Sequence, residues 1–253
     1  MKLISLNIEG DKHWDRIIPF VISEGPDVLC VQEIFQSDME RIPQEIGMHY
    51  SQFTPMALYF ADSHEMSREP KGIAIFTKEP ATFDATYYKL PPNPLVPTDH
   101  SSYAARAATH GYAILRATLM HEGHEYVIGT THLCVTYHGI ADEFQTADTE
   151  RLLALAAPMP PHVLCGDFNM PRSINSLYTR FTEFYTDAIP ESIEGSLDPE
   201  LHRAFKDPKE AERVKSYMVD YLFTMPGYAA TDVHMRSGVS DHKAIIANLE
   251  KTV

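Results

Sequence analysis

The chain has 253 residues, of which 44% are hydrophobic and 22% are charged. This composition excludes a disordered or fibrous chain, and a chain of this length buries roughly 70–75% of the surface that its unfolded form exposes. No apolar stretch approaches the roughly 20 residues that a membrane span requires. The N-terminal segment has no apolar signal core, because Asn7 and Glu9 interrupt it. We therefore expect a soluble, cytoplasmic protein with no membrane partner.

The net charge is −14, from 21 basic and 35 acidic residues. Lys and Arg supply most of the non-specific attraction to nucleic acids, so this balance disfavours such attraction. It does not exclude a nucleic-acid enzyme, because a bound cation can bridge the protein to phosphate. Cys30, Cys134 and Cys165 lie within or beside apolar runs, and we expect them to be buried and reduced.

The predicted elements mix many short strands with fewer helices. In chain order we predict a strand at Lys2–Ile8, a helix through Trp14, Ile17, Ile18, Val21 and Ile22, strands at Val28–Gln32, Gly72–Thr77, Tyr112–Leu119 and Tyr126–Thr131, a helix at Glu143–Ala157, and strands at Val163–Cys165, Tyr217–Phe223 and Ala244–Leu249. Two long loops, Leu90–His110 and Pro190–Pro208, do not resemble interdomain linkers. The pattern predicts a single domain, residues 1–253, with an α/β or α+β layered fold.

Acidic, amide and imidazole side chains stand at the ends of four predicted strands and directly before a fifth. They are Asn7, Glu9, Glu33, His132, Asp167, Asn169, Asp241 and His242. Taken singly, Glu33 could cap a helix, Asp167 could form an Asx turn, and His132 could be a core histidine. Turn chemistry does not require functional groups at so many strand ends, and ligand sites in layered sheets gather there. The set therefore predicts a functional site.

Asp220 lies inside a predicted apolar strand, where alternation places it on the same face as Met218 and Leu222. An ionised carboxylate in such surroundings destabilises the fold unless a cation or a network of donors compensates for it. A structural ion pair is one explanation. The other is a histidine that Asp220 orients, for which His242 is the candidate.

Asp167 and Asn169 are two residues apart, so in an extended segment they point the same way and can hold a water or a phosphate oxygen. Glu9, Glu33 and Asp241 would add hard oxygen ligands, which favour Mg²⁺ or Mn²⁺ over zinc. A zinc site is the alternative, and its candidate ligands, His132, Cys134 and His138, lack a convincing fourth member.

Seven motifs, in order along nearly the whole chain, resemble the endonuclease/exonuclease/phosphatase superfamily. They are Leu6-Asn7-Ile8-Glu9-Gly10, Gln32-Glu33, Gly72-Ile73-Ala74-Ile75-Phe76, Thr131-His132-Leu133, Gly166-Asp167-Phe168-Asn169, Val219-Asp220-Tyr221-Leu222-Phe223 and Ser240-Asp241-His242. The resemblance implies a four-layered sandwich of two packed, mostly antiparallel β-sheets flanked by helices, with the site at one edge. It also implies hydrolysis of a phosphoester with a divalent metal.

The resemblance further implies a role for each matched residue. The metal would be held mainly by Glu33, with Asn7, Glu9 and Asp241 as further ligands or as holders of water on the metal. The attacking water would be positioned or activated by Asp167 and Asn169, while Asp220 would orient His242. His132 would stabilise the pentavalent state or protonate the leaving oxygen. The base is either Asp167 or His242, and many relatives carry aspartate where this chain has Glu9.

Together, the motifs and the charge predict a Mg²⁺-dependent phosphohydrolase that acts on a phosphodiester or phosphomonoester of modest size. The loop at Leu90–His110 carries only Arg106 as a cation, with Lys89 just before it, and the loop at Pro190–Pro208 is acidic, so no long basic groove for single-stranded nucleic acid is visible. The alternative is a DNA nuclease or DNA-end-processing phosphodiesterase, whose partner would be nucleic acid. A phosphate-binding module without catalysis is a third interpretation, which the complete residue set disfavours. The sequence makes no prediction of oligomeric state.

Overall fold

The computed structural model of the protein describes residues 1–60 and 68–252. Within these ranges the chain forms twelve strands, at Lys2–Asn7 (β1), Val28–Phe35 (β2), Tyr50–Phe60 (β3), Arg68–Thr77 (β4), Ala81–Lys89 (β5), Tyr112–His121 (β6), His124–His132 (β7), Val163–Asp167 (β8), Thr186–Asp187 (β9), Asp220–Thr224 (β10), Tyr228–Arg236 (β11) and Ala244–Lys251 (β12). The α-helices of the same ranges lie at Trp14–Glu24 (α1), Asp38–Glu45 (α2), Tyr103–Thr109 (α3), Glu143–Ala156 (α4), Tyr178–Thr182 (α5) and Pro208–Val214 (α6). None of these helices is long and apolar enough to cross a bilayer.

The strands form two six-stranded sheets of the same design. The first sheet has the order β11-β12-β1-β2-β4-β3, and the second has the order β5-β6-β7-β8-β10-β9. Each sheet contains one parallel pair, β1 with β2 and β7 with β8, and its other paired strands are antiparallel. The prediction of a sandwich of two mostly antiparallel sheets with flanking helices is confirmed.

The main hydrophobic core lies between the two sheets. Strand β2 turns Val28 and Cys30 into this core, while its alternate residues Leu29 and Val31 join a second cluster on the outer face. Residues of α1 and α2 complete that second cluster, so both faces of β2 are covered, which explains its unbroken apolar run. The three cysteines of the chain are buried and unpaired, as predicted.

Helix α1 differs from its prediction at one position. Trp14, Ile17 and Val21 are buried as expected, but Ile22 is 57% exposed. With 3.6 residues per turn, Ile22 lies about 100° round the helix from Val21 and falls off the buried stripe. Pro19 is accommodated inside the helix.

The prediction of a strand over Tyr217–Phe223 is wrong in its first half. Strand β10 begins at Asp220, which pairs with Asp167 of β8. Before it, the backbone N–H groups of Val219 and Asp220 both donate to the Ser196 hydroxyl, at 3.0 and 3.2 Å. Strand pairing thus begins only at Asp220, which occupies the start of a strand instead of its middle.

Several elements were not predicted from the sequence. The missed strands, β3, β5, β9 and β11, stand at the four edges of the two sheets. Edge strands have one neighbour and commonly carry polar side chains, so they lack the continuous apolar run of a central strand. Helix α3 lies within the predicted loop Leu90–His110, and α6 begins where the second predicted loop ends.

Gly166 of β8 provides a test of how tightly the second sheet is packed. Its φ is +136°, and a Cβ atom there would lie 2.0 Å from the Thr131 carbonyl oxygen on β7. We expect Gly166→Ala to lower the free energy of unfolding by about 3 kcal/mol, from backbone strain and overpacking together. Gly47→Ala is the control: its φ is +69°, but no atom lies within 4 Å of the new Cβ, so the loss should be about 1 kcal/mol. Urea unfolding measures both, and equal losses would contradict this account.

Candidate active site

The two parallel strand pairs end beside each other at one edge of the sandwich. Strand β1 ends at Asn7, β7 ends at His132 and β8 ends at Asp167. The Asn7 amide nitrogen donates to Asp167 Oδ2 at 3.0 Å, which joins the ends of β1 and β8 across the two sheets. Strands of a parallel pair end at the same side, so the sheet topology itself gathers these side chains.

Glu33 reaches the same place through an irregularity in β2. The register of β2 against β4 shifts between Gln32 and Ile34, and Glu33 has a φ of 67°. Its Oε1 lies 3.4 Å from the Asn7 amide nitrogen and 3.9 Å from His132 Nε2, and its Oε2 accepts from Lys71 Nζ at 2.5 Å. Burial alone would raise the pKa of Glu33, but the charge and the hydrogen bond of Lys71 outweigh it and lower this pKa well below 4.5. Glu33 is therefore ionised at neutral pH.

Asp167 and Asn169 form an Asx turn that still directs both side chains into the site. The Asn169 backbone N–H donates to Asp167 Oδ1 at 2.8 Å. The Asn169 amide nitrogen donates to the Leu133 carbonyl at 2.9 Å and lies 3.1 Å from His132 Nε2. Because an amide nitrogen only donates, His132 Nε2 accepts and its proton is assigned to Nδ1. Burial lowers the pKa of His132 although Asp167 and Glu33 oppose it, which agrees with a neutral ring.

His242 and Asp220 form a buried ion pair. Asp220 Oδ2 lies 2.8 Å from His242 Nδ1, and His242 Nε2 lies 3.9 Å from Asp167 Oδ2. Burial alone would lower the pKa of His242, but the negative charges of Asp220, Asp241 and Asp167 raise it well above 6.5. Burial and the charge of Asp220 raise the pKa of Asp167. His242 is therefore an imidazolium at neutral pH, with its Nε2–H on the side of Asp167.

Asp241 and Glu9 differ in how they face the site. Burial, together with the negative charges of Glu9 and Glu33, raises the pKa of Asp241 to about 6. The two carboxylate oxygens of Glu9 instead contact Lys12 Nζ at 2.7 Å and His13 Nε2 at 2.9 Å, while the Glu9 backbone N–H donates to Asn7 Oδ1 of the side-chain amide. Glu9 thus lies at the rim of the site with its charge already paired.

The donor set fits a hard divalent cation. Two groups of three side chains hold potential ligand atoms within 4.8 Å of one another: His202 with Asp241 and His242, and Asp167 with Asp220 and His242. A protonated His242 cannot ligate a metal, so the carboxylates of Asp167, Asp241 and Glu33, which line the same cavity, are the donors that a hard cation would use. Burial, with the negative charges of Glu9 and Glu33, raises the pKa of Asp241, and a cation would relieve that repulsion.

The alternative zinc set does not assemble in the described part of the chain. Neither metal-capable group there includes Cys134 or His138. Burial and then the charge of Asp148 raise the pKa of Cys134 to about 12, so its thiol stays protonated. Zinc is held by thiolates, not thiols.

A cavity of about 640 Å³ opens over this cluster. Eight of the nine predicted residues line it, namely Asn7, Glu9, Glu33, His132, Asp167, Asn169, Asp241 and His242, and Asp220 lies behind His242. The sequence did not single out several other lining residues, which are Lys71, His100, His202 and Arg203. Lys71 directly precedes the motif beginning at Gly72, so its position was a usable signal; His100, His202 and Arg203 come from loops and gave none.

Comparisons with known proteins agree with this geometry. The family described as "Endonuclease/Exonuclease/phosphatase family" matches residues 4–242, and the chain belongs to this family. A search of curated proteins found no match.

Solved structures share the fold at low sequence identity. An endonuclease/exonuclease/phosphatase from Beutenbergia cavernae DSM 12333 has a TM-score of 0.72 at 16% identity, covering 99% of this chain and 71% of that one. A mannosyl-6-phosphatase from Bacteroides thetaiotaomicron VPI-5482 has a TM-score of 0.62 at 12% identity, covering 99% of both chains. D. rerio TDP2, complexed with a single-strand DNA product, has a TM-score of 0.67 at 13% identity, again covering 99% of both. At these identities the likeness concerns the fold.

The His242–Asp220 pair predicts a measurable titration shift. In Asp220→Asn the largest attraction that holds the proton on His242 is lost, so we expect the pKa of His242 to fall by about 1–3 units. Proton–nitrogen NMR titration of the histidine rings, with a chelator present, measures it. His162, which is hydrogen-bonded to Tyr185, serves as the internal control and should not shift. An unchanged pKa for His242 would contradict the assigned pairing.

Proposed function

We propose that the protein is a divalent-metal-dependent hydrolase of phosphoester bonds, with Mg²⁺ or Mn²⁺ as its metal. The observation that carries the proposal is the convergence of Glu33, Asp167 and His242 at one cavity, from strand ends far apart in the chain. An anionic carboxylate, a carboxylate of raised pKa and an imidazolium are the groups that hydrolysis of a phosphoester needs. The buried, unpaired cysteines support a cytoplasmic location.

The metal would be held by Glu33, Asn7 and Asp241. A bound divalent cation would neutralise charge on a phosphate oxygen and lower the pKa of a bound water. The ionised Glu33 supplies the strongest anionic oxygen, and Asn7 is fixed by its contacts to Asp167 and to the Glu9 backbone. The Glu9 carboxylate contacts Lys12 and His13, so it would not be a direct metal ligand. Glu9 would instead hold the side chain of Asn7 in place through its backbone N–H.

Asp167 is the proposed base, and His242 is the proposed phosphate contact. His242 already carries a proton that Asp220 stabilises, so it would donate Nε2–H to a phosphate oxygen and not accept a proton from water. The Asn7 amide donates one hydrogen bond to Asp167 Oδ2, which keeps a lone pair to accept a proton. The raised pKa of Asp167 makes it a better base than an exposed carboxylate. In this proposal Asp167, and not His242, is the base.

Asn169 and His132 complete the proposed site. The amide of Asn169 contacts both Leu133 and His132, so it would hold the neutral His132 ring in place. The ring lies 3.6 Å from Asp167 Oδ2 and 3.9 Å from Glu33 Oε1 through Nε2. In the neutral ring Nε2 is an acceptor, so His132 would stabilise the charge that develops on the phosphate oxygens in the pentavalent state only after Nε2 takes up a proton.

A small or medium phosphoester is the proposed substrate. The cavity of about 640 Å³ is of the size that binds small molecules. A DNA nuclease or DNA-end-processing activity remains the second candidate, and the TDP2 likeness raises it only through the fold.

The first test is a side-by-side substrate screen with variants. Wild-type protein is assayed on bis(p-nitrophenyl) phosphate, phosphomonoesters, inositol phosphates and single- and double-stranded DNA, each with Mg²⁺, Mn²⁺ or a chelator. We expect Asp167→Ala and His242→Ala to reduce turnover by roughly 10²–10⁴-fold, the usual worth of a positioned acid or base. Glu33→Gln should raise the metal concentration needed for half-maximal activity by about tenfold or more.

The control for this screen is Asp232→Asn, because the Asp232 side chain is 74% exposed on an edge strand. It should retain wild-type turnover, and circular dichroism checks that every variant is folded. Hydrolysis of no phosphoester in any metal would refute the proposed function. Strong preference for DNA would favour the second candidate.

The pH dependence of kcat/KM tests the two roles separately. Activity should fall at low pH as Asp167 is protonated, through a pKa raised above 3.8, and fall at high pH as His242 loses its proton, through a pKa raised above 6.5. In Asp220→Asn the alkaline limb should move to lower pH, because the imidazolium has lost its partner. An alkaline limb that does not move would remove protonated His242 from the rate-determining chemistry.

A further inference from the structure

The cavity over the site combines carboxylates with a group of basic side chains that the proposed chemistry does not use. Lys71, His100, Arg106 and Arg203 all line it. The protein as a whole carries a net charge of −14, so this concentration of basic groups at one cavity is local. Arg203 is exposed to solvent, whereas Arg106 is half-buried.

Within the described residues, neither Arg106 nor Arg203 has an ion pair, but only Arg106 also has a buried Nε without an acceptor. Lys71 is paired with Glu33 at 2.5 Å, but the guanidinium of Arg106 makes no ion pair or hydrogen bond with residues 1–60 or 68–252. Its Nε is buried and has no acceptor within those ranges. A buried donor without an acceptor is destabilising, so the position calls for an anion or a water that the protein itself does not supply.

Helix α3 fixes Arg106 at the cavity wall. The Ser102 hydroxyl caps the helix by accepting from the Ala105 N–H at 3.0 Å, and the Arg106 N–H donates to the Ser102 carbonyl at 2.9 Å. The arginine also lines the narrow cleft between Glu33, His132 and Tyr112, directly beside the candidate active site. A substrate whose phosphorus lies at the candidate metal site would therefore extend toward Arg106.

The ring of Tyr59 contacts three further basic side chains at the same cavity wall, those of Lys71, His100 and His110. Lys71 Nζ lies 4.0 Å from the centre of the Tyr59 ring, and the rings of His100 and His110 pack against it edge-on, at 5.9 and 5.4 Å. The Tyr59 hydroxyl is 3.0 Å from His110 Nε2. Burial and then the charge of Arg106 lower the pKa of both His100 and His110, which places the two rings within electrostatic range of the guanidinium.

We propose that Arg106, with His100 and Lys71 beside it, forms a second anion site in the cavity, and that the preferred substrate is a small phosphoester carrying a second phosphate group. A guanidinium presents a planar fork of N–H donors that matches two phosphate oxygens, which a lone ammonium does not. The first phosphate would bind at Glu33, Asp167 and His242, and the second at Arg106. The inference rests on the proposed function for its first phosphate.

The kinetic test uses substrate pairs that differ only in the second phosphate. These are adenosine 3′,5′-bisphosphate with adenosine 5′-monophosphate, and fructose 1,6-bisphosphate with fructose 6-phosphate. We expect wild-type protein to prefer the bisphosphate of at least one pair by about tenfold or more in kcat/KM, chiefly through KM. Arg106→Gln should reduce the preference for the bisphosphate by about tenfold. Arg106→Lys should retain only part of this preference, because lysine supplies the positive charge but not the planar set of N–H donors.

The matched control is Arg41→Gln, because Arg41 is 49% exposed on α2 and pairs with Asp38 and Glu45. It should leave the preference unchanged. Equal kcat/KM values within both pairs, or a preference that survives in Arg106→Gln, would overturn the inference while leaving phosphoester hydrolysis intact.

A binding measurement separates this inference from the proposed function. Isothermal titration of adenosine 3′,5′-bisphosphate into metal-free protein should give an affinity about tenfold weaker in Arg106→Gln than in wild-type or Arg41→Gln protein. If no phosphoester is hydrolysed but this difference is found, the anion site stands and the hydrolase proposal fails. Identical affinities in all three proteins would overturn the anion site.

Discussion

The hydrogen bond between the Asn7 amide and Asp167 ties together the ends of two strands that belong to different sheets. Both groups are buried, so neither could be left without its partner except at a cost in free energy. Behind it, Gln32 Nε2 donates to Thr130 Oγ1 at 2.9 Å, again from one sheet to the other. These polar contacts at the edge of an otherwise apolar interface fix how the sheets are aligned. Every distance among Glu33, His132, Asp167 and His242 depends on that alignment.

The charged side chains of the site stabilise one another, and burial is what makes these interactions strong. Asp220 stabilises the His242 proton, Lys71 keeps Glu33 ionised, and burial, with the charges of Glu9 and Glu33, raises the pKa of Asp241. In water such interactions between neighbours would be weak, but in the low-dielectric surroundings of these side chains they are strong. The same burial lowers the pKa of His132. Two histidines in one cluster therefore have different protonation states because of their different neighbours.

The sequence predicted the centre of this fold better than its edges. Central strands such as β2 are covered on both faces and show as apolar runs, whereas the four missed strands are edge strands with exposed, polar positions. The predicted residues converge because they stand at strand ends, which topology brings together. Asp220 was found for a partly wrong reason, since it begins a strand and does not interrupt one. His202 was missed because it approaches His242 from an irregular segment, with ring centres 6.0 Å apart, and only the tertiary fold determines that approach.

The residues that line the cavity come from two kinds of segment, the strand ends and the segments outside the strands. Asn7, Glu33, His132 and Asp167 are held by the central strands, so any chain with this sandwich can place them alike. Arg106, His100, His202 and Arg203 come from α3 and from segments outside the strands, whose course the sheets do not dictate. Loops tolerate insertion and change far better than paired strands do. Family membership therefore concerns chiefly the strand-end side of the cavity, whereas the residues that the loops bring to its wall can differ most readily from one chain to another.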